Sequence, residues 1–487
     1  MKNFFFFLAF TYSHFVSSQA VTFEKHYNFG GTNAGYCVQQ TMDGGYIVAG
    51  VRTLGIGMEE MLLQKVDSLG QTQWIKFFSD GYESEASSVR QTADGGFILT
   101  GWTSIDISYH HYIALIKTDS NGDTVWTKRY DGSSLGPGSS CNCGREVAAT
   151  SDGGYAIVAG MLDQADNLEK ILLIKTNATG DTLWTKKYKG FFGVGAASIK
   201  QTSDGGFIMG GTALLTDTLP PLYSVFLLRT DANGDTIWTK AINVNSFNEY
   251  AYSVWQASDG GFFITGRICC PDSIYMGNIL YIKTDSAGDT LWTKQIKGNR
   301  DDYANCGQET ADGGYMMVGY TNSYSTGSNI KVYLLKTDMN GDTLWTKTFG
   351  GPNQSSGVYS VQTTDGGFII GGMTSSFGTG DVYLIKTDGT GQIIGINDIP
   401  FNDIGIIVFP NPMNEAATVF LLNDLSNKKN LEFYLIDMLG KVVDREKVIS
   451  GNDNFKINTS SMQSGIYLLQ ILSSSKTIRS EKIIVQH

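Results

Sequence analysis

Three groups of residues in this chain have the types and spacing for chemistry. Ser203-Asp204-Gly205-Gly206-Phe207-Ile208-Met209-Gly210-Gly211 sets paired glycines beside a carboxylate and ahead of an apolar run, a layout that could close backbone N–H groups on a phosphate. Asp119-Ser120-Asn121-Gly122-Asp123 carries oxygen side chains at alternate places, as a calcium loop does. The third group is the adjacent pair His110 and His111 with the carboxylates Glu83, Glu85, Asp301 and Asp302. Those types would serve a histidine-bound metal, a Ser-His-Asp relay or a two-carboxylate hydrolase or lyase.

Repetition decides the first two. Asp-Gly-Gly-aromatic recurs at Asp43, Asp94, Asp152, Asp204, Asp259, Asp312 and Asp365, at intervals of 51 to 58 residues. Seven identical phosphate sites in one chain make little sense, whereas Asp-Gly is a preferred pair for a tight hairpin whose central residues need positive φ. In the calcium-like stretch the third place varies from Asn121 to Thr179, Ala287 and Leu69, and no distal Glu is kept. Both motifs therefore read as turns. Gly193-x-Gly195 and Gly55-x-Gly57 lack the strand-then-helix setting of a dinucleotide site and read as loops. The third group is thin in histidine, of which the chain has five. Neighbouring residues of a strand point to opposite sides, so His110 and His111 could share a metal only from a loop. No spacing singles out a pair among the carboxylates, and no catalytic residue, metal or cofactor is assigned.

The elements that position these groups come from the repeat. A second motif follows each Asp-Gly-Gly, as QKVD at 64–67, IKTD at 116–119 and LKTD at 335–338. A third, G-D-T-x-W-T-K in its best copies, places Trp74, Trp126, Trp184, Trp238, Trp292 and Trp345, six of the eight tryptophans. A period near 50 residues means a propeller or a solenoid. Each unit resolves into four short strands, the second and third apolar on both faces and the fourth alternating like an outer strand. No helical periodicity of useful length occurs. The expected fold is all-β: a seven-bladed β-propeller over residues 21–398, then a small Ig-like β-sandwich over 404–487. Phe23-Glu24-Lys25-His26-Tyr27 aligns with W-T-K-x-Y, so the N-terminal segment is expected to supply the outer strand of the last blade.

The ends and the bulk composition set the compartment. Residues 1–20, with Lys2, the apolar run Phe4 to Phe10 and Ser18-Gln19-Ala20, have the layout of a secretory signal peptide, and no later segment is long and apolar enough to span a membrane. A net charge of −11 argues against nucleic acid and anionic membrane surfaces as partners. Export permits disulfides among Cys37, Cys141, Cys143, Cys269, Cys270 and Cys306, with loop staples or free thiols both open. With no C-x-x-C pair, a zinc site is not expected.

Two resemblances follow from these motifs. Tyr-Leu-Ile-Lys-Thr-Asp followed by Gly-Asp-Thr-Leu-Trp-Thr-Lys resembles the tryptophan-docking repeats of pyrroloquinoline-quinone-type propellers, and more closely the DGG[YF] repeats of secreted Bacteroidetes propellers. Only the scaffold carries over, because the quinone pocket and its metal ligands have no counterpart here. Residues 404–487 contain Pro410-Asn411-Pro412, the D-x-x-G-K-x-V hairpin from Asp437, the S-G-x-Y-x-L-x-I strand from Ser464 and a final basic-apolar strand. They resemble the type A C-terminal sorting domain of the type IX secretion system. That resemblance implies the type IX machinery as a partner, passage across both membranes, and release or attachment at the cell surface.

Function is then expected where the units differ. The turns carrying the motifs are short and nearly constant, while the loops at the other ends of the strands vary, and loops on a rigid scaffold are where binding resides. That variable side carries Tyr82, Glu83, Glu85, His110, His111, Arg145, Phe191, Phe192, Glu249, Tyr250, Tyr275, Arg300, Asp301, Asp302 and Tyr303. Aromatics interleaved with carboxylates suit a glycan or an extended peptide. The sequence is read as a noncatalytic module that binds a polysaccharide or surface protein. The alternative is a carbohydrate-active hydrolase or lyase using paired carboxylates of the same side.

Overall fold

The computed structural model describes residues 21–393 and 405–486, apart from 56, 80–81, 105–110, 132–143, 164–165, 167, 191–192, 217–220, 245–246, 271–272, 325–328, 379, 410–414, 423–430, 439, 449–453 and 474–475. The leader, His110, Phe191, Phe192, Cys141, Cys143 and the Pro-Asn-Pro opening fall outside this set. The chain divides into two compact units, 1–394 and 395–487.

The first unit contains seven four-stranded antiparallel sheets and no helix among the described residues. Six sheets use consecutive strands, over residues 32–78, 83–130, 144–188, 193–242, 249–296 and 302–349. The seventh joins Ser355–Gln362, Phe368–Thr374 and Asp381–Thr387 to the N-terminal strand Phe23–Tyr27, which pairs antiparallel with Asp381–Thr387. Second and third strands are buried on both faces, which is why they read as unbroken apolar runs such as Ile171-Leu172-Leu173-Ile174. The first strands of successive sheets touch one another in a closed cycle, the last returning to the first. Repeated sheets in this order are consistent with a β-propeller.

The Asp-Gly-Gly turn differs from the expected two-residue hairpin. Thr41 N–H donates to Gly45 O (2.9 Å) and Gly44 N–H to Thr41 O (2.8 Å), so the loop is longer. Gly44 alone of the pair has positive φ, 79°. The second glycine is required by space: a Cβ on Gly45 would stand 2.4 Å from Val66 O. The aspartate binds the turn together, accepting from Thr41 Oγ1 (2.5 Å) and Gly45 N–H (3.0 Å). It also pairs with Lys65 of the second motif at 2.8 Å. The same pair recurs as Lys117–Asp94, Lys175–Asp152, Arg229–Asp204, Lys283–Asp259, Lys336–Asp312 and Lys386–Asp365. Hydrogen bonds from Thr92 and then Lys117 hold the Asp94 carboxyl down to about 2.

The calcium-like stretch is likewise a turn. Asp119 Oδ1 accepts the backbone N–H groups of Asn121 and Asp123, both at 2.9 Å.

The third motif joins one sheet to the next. Trp184 packs edge-on against Phe207, its ring beside Gly234, and Lys186 pairs with Asp235 at 2.8 Å, all three partners belonging to the following sheet. At the closing junction Phe23 replaces tryptophan: it meets Tyr46 edge-on (5.9 Å) and sits beside Gly70, whose carbonyl accepts from Tyr27 (2.6 Å).

The second unit has a three-stranded sheet, Gly405–Phe409, Ala416–Leu422 and Asn454–Asn458. A four-stranded sheet orders Val442–Val448, Leu431–Asp437, Gly465–Ser473 and Lys476–Val485. Val419 and Ile457 of the first share one core with Phe433, Leu469 and Ile483 of the second.

Candidate functional site

Every first strand of the seven sheets carries a β-bulge at the same place. Pairing skips one residue between Gly35 and Cys37, Ala86 and Ser88, Gly144 and Glu146, and Ala196 and Ser198. It does so again between Ala251 and Ser253, Ala304 and Cys306, and Gly357 and Tyr359. A bulge re-aims the unpaired side chain. The seven skipped residues, Tyr36, Ser87, Arg145, Ala197, Tyr252, Asn305 and Val358, line a single cavity of about 280 Å³ on the axis of the cycle. Ser88, Glu146, Ser198, Ser253 and Tyr359, each next along its strand, complete the lining.

The inner end of the cavity is a buried ionic group. Glu146 pairs with Arg90 and with Lys200 (2.5 Å), and its other oxygen accepts from Ser198 Oγ and Ile199 N–H, both at 2.8 Å. Tyr359 OH accepts from Arg90 at 3.0 Å. Burial pushes the Glu146 carboxyl up, but Lys200 and Arg90 outweigh it and hold the group down to about 2. Two cations thus serve one carboxylate. Cys37 and Cys306 lie beside this group as buried free thiols, Cys37 accepting from Arg90 at 3.3 Å and Cys306 pushed up to about 11 by burial.

The first two sheets gather several sequence candidates at their variable end. Burial, and then the neighbouring Glu59, raise the Glu85 carboxyl to about 7, against the pull of Arg145 and a hydrogen bond from Trp102. Glu83 is raised by the same two causes in the same order. Trp102 pairs across the strands with Glu85 and stacks on His111 at 4.5 Å. Tyr82 N–H closes the edge by donating to Ser104 O at 2.9 Å. Glu83, Glu85, His111 and Arg145 therefore occupy one neighbourhood. The exposed Arg145 also lines the axial cavity.

On the fourth to sixth sheets the same end is a row of rings. Tyr223 stacks on Tyr250 at 5.4 Å, and the Arg267 guanidinium lies 4.9 Å from the Tyr250 ring and 4.6 Å from the Tyr303 ring. Tyr303 stacks in turn on Tyr320 (4.5 Å) and Tyr252 (6.3 Å). Register makes the row: Tyr250 faces Arg267 and Tyr303 faces Tyr320 across antiparallel pairs. All six side chains are half-buried.

The remaining candidates hold the loops of that end. Glu249 is fully buried and accepts from Val244 N–H and Asn243 Nδ2, both at 2.9 Å, with burial raising its carboxyl to about 8. Asp302 is also fully buried, accepts from Ser323 Oγ (2.6 Å) and Thr321, and is raised by burial. Asp301 accepts from Gly277 N–H (2.8 Å), and Arg300 N–H donates to Ser323 Oγ (3.0 Å). Tyr275 lies in the strand Ser273–Thr284, without a described side chain.

Sequence reasoning missed Arg267, Tyr223, Tyr252, Tyr320 and Trp102, and the central Arg90, Glu146, Lys200 and Tyr359. The signal for the central group was aligned departure from the repeat: Arg90, Lys200 and Trp255 share one position of the first strand, where other units have Gln39, Ala148, Gln308 and Val361.

No curated protein sequence matches the chain. Among solved structures it is similar to Sqt1 from Chaetomium thermophilum, at 10% identity over 75% of this chain and 99% of that one, TM-score 0.42. It is similar also to a protein of unknown function from Dyadobacter fermentans, at 12% identity over 61% and 93%, TM-score 0.41. Puromycin hydrolase aligns at 13% identity over 80% of this chain and 58% of its own, TM-score 0.45. Likenesses at this level carry no argument about function. Residues 407–486 match the family described as the secretion system C-terminal sorting domain. Among the described residues no helix is long and apolar enough to cross a membrane. The C-terminal unit is a secretion sorting domain, and the protein is exported by the type IX system to the cell surface or beyond.

Proposed function

We propose that the first unit is a seven-bladed β-propeller, kin to the quinone-type scaffolds in its tryptophan docking alone. On this reading it binds a glycan on its variable side, outside the cell. The C-terminal unit is then a β-sandwich that the type IX machinery reads. The observation that carries the binding reading is the row Tyr223, Tyr250, Arg267, Tyr303 and Tyr320. The half-buried rings cover one another face to face, so the stack offers its exposed ring edges to sugar C–H groups at little entropic cost, and the flanking polar groups can meet hydroxyls. The test is retention of the full chain on immobilised polysaccharides, with Tyr250→Ala and Tyr303→Ala. Binding that drops about tenfold or more in each variant while melting is unchanged supports the reading. Retention by no polysaccharide overturns it.

A second reading, a carbohydrate-active hydrolase, is favoured by Glu85. A carboxyl raised to about 7 beside a second carboxylate, Glu59, has the properties of a general acid and its partner. Glu85→Gln would then abolish release of reducing sugar and leave binding intact. Absence of any release by the parent chain rejects this reading.

A further inference from the structure

We infer that the type IX machinery docks on the outer face of the four-stranded sheet of the C-terminal unit, seating an aliphatic surface of its own on Ile436, Met438, Val442, Ile466 and Leu468. The inference rests on the reading above that the machinery recognises this unit as a folded sandwich. It starts from the alternation of the strands. An antiparallel sheet with one face in a core carries apolar residues inward and polar ones outward. In Leu431–Asp437 and Gly465–Ser473 the inward set is Phe433, Leu435, Tyr467, Leu469 and Ile471, all buried in the core of the unit. The residues between them turn outward. At one end of the face they carry polar groups, with Tyr434 paired across the strands to Arg445 on one side and Gln470 on the other. At the other end they do not. Ile436 is paired to Val442 and Leu468, and Ile466 to Ile484. Met438, just past the end of its strand, is 75% exposed, Val442 43% and Ile466 41%, while Ile436 and Leu468 are half-buried. Single exposed apolar residues are ordinary, but residues joined across strands make a patch, and patches mark interaction sites.

Function and charge say what covers the patch. The unit matches the secretion sorting family over residues 407–486, and a sorting domain works by being bound during export. A partner that holds the protein only in transit needs a face that the folded unit leaves open. Among the described residues of this unit, the large apolar side chains left exposed are Met438, Val442, Val443 and Ile466, all on or beside this patch. Both signs of charge surround it, Lys441 and Arg445 exposed and Glu432 and Asp437 half-buried. An apolar centre within a rim of mixed charge fits a folded protein surface rather than a polyanion or an anionic membrane. Residues 404–487 hold nine Lys and Arg against eight Asp and Glu, so the negative charge of the chain, −11 in all, lies outside them. A near-neutral unit meets an apolar partner without the repulsion that a strongly charged one would impose on an acidic surface.

The experiment is expression of the full chain in cells with and without a working type IX system, with the exported and periplasmic fractions measured for the parent, Met438→Asp, Ile466→Asp and Gln470→Asp. Met438 and Ile466 are exposed, so their variants should melt as the parent does; Val442→Ser tests the same patch by a milder change should either fail to fold. The expected result is a fall of about tenfold or more in the exported fraction of the patch variants, which then accumulate folded in the periplasm. Gln470→Asp, at the polar end of the same face, should be exported as the parent is. Normal export of folded Met438→Asp and Ile466→Asp overturns the inference and leaves the sorting reading standing. Export of the parent from cells lacking the system overturns that reading as well. A parent dimer that Ile466→Asp dissociates without change in export would assign the patch to a second copy of the chain and overturn the inference too.

Discussion

Trp184 and Gly234 touch across two sheets, so closely that a Cβ on the glycine would stand 2.7 Å from the indole. The relationship recurs at Trp74 with Gly122, Trp126 with Gly180, Trp238 with Gly288, Trp292 with Gly341 and Trp345 with Gly391. Gly205 has a similar φ, 85° against 77°, but its nearest neighbour for a Cβ is Ala232 at 3.9 Å. Gly205→Ala should therefore cost only the backbone strain, about 1 kcal/mol, and Gly234→Ala about 2–4 kcal/mol because the indole must also move. Denaturant unfolding of the two variants compares them directly; equal losses would show that the indole contact contributes nothing.

Closure depends on the N-terminal strand. Phe23 is buried against Tyr46, Val38 and Val66, and Phe23→Ala should cost about 3 kcal/mol. Removal of residues 21–27 would expose the edge of Asp381–Thr387 as an unpaired strand, and the protein should then self-associate in sedimentation. A monomeric deletion variant with unchanged melting would contradict this.

The Lys336–Asp312 pair is lopsided, with side-chain exposures of 5% and 62%. Asp312→Asn strands a buried ammonium with the Thr337 carbonyl and should cost about 3 kcal/mol. Lys336→Met leaves only a solvated carboxylate and should cost about 1 kcal/mol. Thermal or chemical melts that reverse this order would refute the assignment of the lysine as the desolvated partner.

Glu249 sets a pH dependence. Its folded carboxyl is raised to about 8 by burial, from an ordinary value of 4.5, so the folded protein holds a proton that the unfolded chain releases. Its contribution is fully present below about 4.5 and is lost as pH rises through 8. Parent protein should lose melting temperature between about pH 4.5 and 8, and Glu249→Gln, neutral throughout, should lose less. Parallel curves for the two proteins would place the group's proton elsewhere.

The scaffold was legible because its constraints repeat. Asp43, Gly44 and Gly45 each have a separate geometric duty, and seven copies made the turn plain in the letters alone. Phe23 was legible as a closing residue because Lys25 and Tyr27 kept the spacing around it. The ring row was half legible. Tyr250 and Tyr303 stand in variable loops and strand starts, but Arg267 and Tyr320 enter through cross-strand register, which links residues 17 apart in both cases. The axial group was the least legible. Arg90, Glu146, Lys200 and Tyr359 lie up to 269 residues apart, and only the closed cycle of first strands brings them together.

The seven aligned bulges have a consequence for how such a protein changes over time. Tyr36, Ser87, Arg145, Ala197, Tyr252, Asn305 and Val358 are the positions that the ladders skip, so no strand pairing depends on what they are. Their diversity, against the near-identity of the motifs around them, follows from that release. Mutation can rewrite the lining of the cavity letter by letter while leaving the strand pairing untouched.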